Sequence, residues 1–125
     1  LIIMTADTHA WKKKPERYWE NAPKEVADLL VNWMAPFHDG REWLQRDEAQ
    51  RSIGMAMQTL MLAAKSMGYD SCPMIGFDIE KVAELINLPE DHVMGPMVAI
   101  GKGTKDPWPK PGQLNLGEVV IENGF

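Results

Sequence analysis

The run Ile53-Gly54-Met55-Ala56-Met57-Gln58-Thr59-Leu60-Met61-Leu62-Ala63-Ala64 constrains this chain more than any other feature. It lies in a helix predicted over 47–67, with Asp47 and Glu48 suited to its N-terminal end and Gly68 to its stop. Nearly every face of that helix is apolar, and such a helix must be buried all round. Gly54, Ala56, Ala63 and Ala64 are small enough for another backbone to come close. The chain has 125 residues, one domain at most. A domain of that size buries roughly two-thirds of its unfolded surface. A helix surrounded on every side therefore implies a second subunit or a further part of the same fold. The apolar run is too short for a bilayer, which needs about 20 residues.

Around this helix the pattern predicts a mixed fold. Leu1 to Thr5 reads as a buried strand, which needs neighbours on both sides, and it opens without an initiator Met. The expectation is that the chain is a piece of a longer polypeptide. Residues 7–20 are polar and aromatic. The cluster Lys12-Lys13-Lys14 reads as a solvated surface, since a phosphate site would want a helix start or a Gly-rich turn. Pro23, after Asn21, opens a helix with an apolar stripe at Val26, Leu29, Leu30 and Trp33, ended by Pro36 and Gly40. Residues 41–46 read as a short amphipathic connector. A further helix is predicted over 78–86, with Asp78 as N-cap and Asn87-Leu88-Pro89 as stop. Met97 to Gly101 reads as a second buried strand, entered through Gly95-Pro96. Residues 102–125 read as an extended arm with a β-like run at 118–121. The expected organisation is one partial domain over 1–125, with its core in 1–101 and the arm in 102–125.

Composition narrows the function classes. The net charge of −5 disfavours non-specific binding to nucleic acid or anionic lipid, so neither nucleic acid nor membrane is expected as a partner. Nine Met and five Trp suit a planar aromatic ligand or an oligomer interface, and equally a core that uses Met. Cys72 is the only cysteine, which excludes an intramolecular disulfide and fits a reducing, cytoplasmic setting. His9, His38 and His92 lack metal-ligand spacing and read as surface or turn residues. Glu16 and Glu20 read as a charged helix face, and Gly101-Lys102-Gly103 as a strand-end turn. No side-chain catalytic constellation stands out.

The informative segment is Gly68 to Asp78. Pro73 and Gly76 shape a tight stretch whose backbone N–H groups could face outward beside apolar side chains, as a flavin edge requires; an ordinary interhelix loop fits the same residues. A resemblance bears on that choice. Met57 to Tyr69 resembles the long central helix of FMN-dependent nitroreductases, with its Q-x-L-x-L-A-A pattern. Cys72 to Asp78 resembles the flavin loop of that family, and Met97 to Gly101 its following strand. Leu116-Gly117-Glu118-Val119-Val120 resembles the terminal L-x-E-V-V motif. These motifs occur in the family's order over roughly 47–121.

The resemblance implies an α+β, three-layer fold with a central sheet flanked by helices. It also implies an obligate homodimer with FMN at the interface and a C-terminal arm exchanged with the partner. By position, the N–H groups of Ile75 and Gly76 would polarise the flavin, with Pro73 and Met74 packed on the ring face. Where the family often has a phosphate-binding Arg, this chain has Gln113. Lys110 is the implied substitute, with Lys102 and Lys105 behind it. The family's Arg-rich N-terminal segment has no counterpart in these residues, so the chain, if complete, is expected to bind FMN weakly or not at all. The implied reaction is two-step: hydride from NAD(P)H to flavin, then transfer to a nitroaromatic or quinone-like acceptor, with Trp43 and Phe37 on the substrate side. The alternatives are a non-catalytic dimerising fragment and a flavin-binding protein without turnover.

Overall fold

The computed structural model describes residues 1–124; Phe125, the last residue of the expected arm, lies outside the described residues. The chain is α+β. Strands β1 (Ile2–Asp7), β2 (Asp70–Met74) and β3 (His92–Gly101) form one antiparallel sheet in the order β1-β3-β2. Helix α2 (Glu42–Ser66) packs across all three strands. Helix α1 (Lys24–His38), preceded by a 3₁₀ turn at Pro15–Trp19, touches that turn and α2. Helix α3 (Ile79–Leu85) links β2 to β3, and a single helical turn, α4 (Leu116–Val119), lies in the arm.

Helix α2 begins earlier than predicted. Residues 42–46 are its first turn rather than a connector, closed by the bond from Gln45 N–H to the Arg41 carbonyl. The acidic pair Asp47-Glu48 suggested the later start, but Gln45, Ala49, Ile53 and Ala64 lie on one buried stripe that continues through it. The other faces are open: Gly54, Met55, Ala56, Leu62 and Ala63 are exposed. Within this chain the helix is therefore one-sided, not buried all round, because the sheet covers a single stripe.

The core is small. Ala49, Ile53 and Ala64 of α2 are buried, as are Met97 and Val98 of β3, with Val98 fully enclosed. Strand β3 is the central one. The strand expected at Leu1 to Thr5 is instead the edge strand β1, Ile2–Asp7, with no buried residue. β3 also starts earlier than predicted, running through Pro96. Opposite Met4 of β1 stand two residues of β3, Gly95 and Pro96, between the pairs Ile3–Met97 and Thr5–Met94. That is a bulge, where a residue without an N–H is tolerated. On its other side Pro96 lies beyond the last pair with β2, Met74–Met97.

Two further boundaries differ from the pattern. α1 continues through Pro36 to His38, closed by Asp39 N–H to the Ala35 carbonyl and by the turn at Gly40, whose φ is 67°. Only the end of a helix follows Pro36, so the bond it removes is one of few. The expected β-like run at 118–121 forms no strand: its first two residues belong to the helical turn α4, and Val120 is the C-cap, in extended conformation. Asn115 and Glu118 form a capping box there, a signal present in the sequence. Residues 102–124 are exposed throughout. Among the described residues no helix is long and apolar enough to cross a membrane.

Candidate functional site

The segment from Cys72 to Asp78 is half strand and half loop. Asp70 to Met74 form β2, an assignment that the poor strand formers Asp, Ser and Pro concealed. Pairing to β3 overrides that propensity, and Pro73 is tolerated because β2 is an edge strand. After Met74 the chain leaves the sheet. No acceptor among the described residues takes the N–H of Ile75 or of Gly76. Both residues are exposed, Ile75 at 75% of its surface. A β-carbon built on Gly76 would meet nothing within 4 Å. The loop thus presents two free main-chain donors to open space, beside the exposed side chains of Met74 and Ile75. Free backbone N–H groups need a partner, from solvent or from a ligand.

Asp78 closes the loop. Its carboxylate accepts from the N–H of Lys81 at 3.0 Å, capping α3 as predicted, and pairs with the Lys81 ammonium at 2.9 Å. The two Lys81 bonds, side chain first, hold the Asp78 carboxyl below its usual range.

The expected phosphate-binding residues are brought to each other but not to this loop. Lys110 donates to the side-chain oxygen of Gln113 on the arm, and no hydrogen bond among the described residues joins either to residues 73–76. Lys102 is engaged elsewhere. It donates to the Gly68 carbonyl at 2.7 Å, just past the end of α2, and its ammonium lies 4.4 Å from the Tyr69 ring centre. Asp70 anchors the start of the arm, accepting from Lys65 at 3.0 Å and from the Gly103 N–H at 3.1 Å. These contacts, with Lys65 foremost, lower the Asp70 carboxyl.

Sequence reading missed a second cluster. Lys13, one of three lysines read as plain solvated surface, bridges Asp7 at 2.7 Å and Asp91 at 2.6 Å. His92 Nδ1 lies 2.7 Å from Asp91, and the His9 N–H donates to Asp7 at 2.7 Å. Asp7, Asp91 and His92 offer ligand atoms within 4.8 Å of one another, and the Lys13 ammonium bonds both carboxylates. The Lys13 and His92 bonds pull the Asp91 carboxyl down to about 2. Burial opposes ionisation of Asp7, but Lys13 and the His9 N–H outweigh it and its carboxyl is also lowered. Asp7 and Asp91 are far apart in the sequence, so residue spacing could not reveal this lock. It fastens the end of β1 to the start of β3.

The nitroreductase family model matches residues 5–102, most of the chain. The chain belongs to the nitroreductase family. Protein DrgA of Synechocystis sp. is 62% identical over 96% of this chain and 60% of its own length. A Staphylococcus epidermidis protein, provisionally named an NAD(P)H:FMN oxidoreductase, superposes with a TM-score of 0.84 at 25% identity, over 95% of this chain and 59% of its own. A protein of Exiguobacterium sibiricum, provisionally named a nitroreductase and solved in complex with FMN, superposes with a TM-score of 0.82 at 23% identity, over 94% and 59%. The chain thus spans about 60% of the length of these relatives. Its α+β fold is the one that the resemblance implied.

Proposed function

We propose that this chain forms the flavin-facing part of an FMN-dependent NAD(P)H oxidoreductase that works as a homodimer in the cytoplasm. The observation that carries this reading is the pair of N–H groups at Ile75 and Gly76, exposed where β2 leaves the sheet and without an acceptor among the described residues. Family membership and the FMN complex of a structural relative support it. The open space at Gly76 suits a flat ring, since nothing within 4 Å would contest it. Ile75 and Gly76 would hold the ring edge through main-chain donors, and Pro73 and Met74 would pack against its face. Lys110 and Gln113, both exposed on the arm, would hold the phosphate, in a partner chain if the arm is exchanged. Bound FMN would supply the hydride chemistry, from NAD(P)H to a nitroaromatic or quinone-like acceptor. The chain's own part is orientation and hydrogen bonding, so no acid–base side chain is needed.

The exposed apolar face of α2 supports self-association on its own, which keeps a non-catalytic dimerising piece as the second reading. One experiment separates the two. Protein titrated with FMN and then with NADH is expected to develop a flavin absorption band that bleaches. Protein that dimerises yet leaves added FMN free selects the second reading and overturns the first.

A further inference from the structure

The turn from α2 into β2 and the exit of β3 into the arm lie side by side, where Asp70 pairs with Gly101. Each reaches for the other. Lys102 reaches back and donates to the Gly68 carbonyl at 2.7 Å, with its ammonium 4.4 Å from the Tyr69 ring centre. Asp70 reaches forward, accepting from the Gly103 N–H at 3.1 Å, while Lys65 bonds its other carboxylate oxygen at 3.0 Å. This approach requires a glycine. A β-carbon on Gly103 would lie 2.6 Å from that Asp70 oxygen, and the carboxylate would have to turn away.

These contacts are exposed, and the Lys65–Asp70 pair leaves 76% and 60% of its side chains open. Pairs of that kind add little to the stability of a fold. What they fix is the direction in which the arm leaves the sheet. Beyond Gly103 the arm carries Pro107, Pro109 and Pro111, with Lys110 among them. Proline-rich segments are semi-rigid over several residues. The heading set at Gly103 is therefore carried on to Lys110, whereas a flexible segment would lose it.

We infer that Lys102 and Asp70 are positioning residues for the cofactor: they aim the arm so that Lys110 meets the phosphate of FMN. This rests on the reading that Lys110 holds the phosphate. Both residues stand away from Ile75 and Gly76, at the opposite end of the β2–β3 pair. The full chain is titrated with FMN and with riboflavin, which has the same ring and no phosphate. Lys102→Met and Gly103→Ala are expected to weaken FMN at least about fivefold and to leave riboflavin within about twofold. Their urea midpoints should stay unchanged. Lys110→Met should show the same split, and Lys102→Arg should bind FMN as the unmodified protein does. Exchange of the Gly103 amide, followed by NMR, should quicken in Lys102→Met. The proposal is overturned if either clamp variant binds FMN as before while Lys110→Met loses affinity, or if the clamp variants lose FMN and riboflavin alike. Unchanged FMN binding by Lys110→Met, or no flavin binding by the unmodified chain, fails the phosphate reading itself and takes the proposal with it.

Discussion

The β-carbon that Gly95 lacks would overlap Cγ2 of Ile53 and lie 3.2 Å from its Cδ1. Here α2 lies tightly against the bulge in β3. Ile53 is 3% exposed and β-branched, so it has little freedom to turn away. Gly95→Ala is therefore expected to destabilise the fold by about 1–3 kcal/mol, the usual cost of overpacking. Urea unfolding followed by circular dichroism measures it. A midpoint equal to that of the unmodified protein would show that α2 is free to shift here.

The lock at Lys13 predicts a response to acid. Asp91 titrates at about 2 in the folded chain, against an ordinary value of 3.8, and Asp7 is lowered as well. A carboxyl whose folded value is depressed adds stability above its unfolded value and loses it as pH falls through the folded one. Stability should thus decline between about pH 4 and pH 2. Lys13→Met should flatten that decline and lower stability at neutral pH, because Asp7 and Asp91 would then face each other without a cation. Unfolding midpoints across this pH range test both effects. Identical pH profiles for the two proteins would remove the lock from the stability of the fold.

The loop assignment separates backbone from side chain. Ile75→Ala keeps the main-chain donors and should leave FMN titration within about twofold, under 0.5 kcal/mol. Gly76→Val puts a branched side chain into the space now open beside the loop, and should weaken FMN binding on the order of tenfold, about 1.4 kcal/mol. The reverse order of effects would mean that the Ile75 side chain, and not the amides, makes the site.

Met55 and Leu62 lie seven residues apart on α2, on the side not facing the sheet, and are 65% and 62% exposed. Residues at that spacing share a face. Leu62→Glu is expected to shift sedimentation from dimer to monomer without changing the circular dichroism spectrum. A variant that still sediments as a dimer would place self-association on another surface, the arm being the next to examine by truncation.

Much of the local structure was readable because it depends on neighbours in the chain. The periodic apolar residues of α2, the Asp78 cap and the Pro- and Gly-rich arm are short-range facts, and the motifs over 47–121 carried the family with them. Tertiary structure decided what depends on distant residues. Pairing with β3 made a strand of Asp70–Met74 despite its Pro, and the bulge opposite Met4 let β3 run through Pro96. The junction of β1 and β3 turned Lys13 from a surface charge into the link between Asp7 and Asp91. Propensity and periodicity register the cost of a residue in its own segment, whereas an ion pair or strand register takes its energy from residues brought together only when the chain folds.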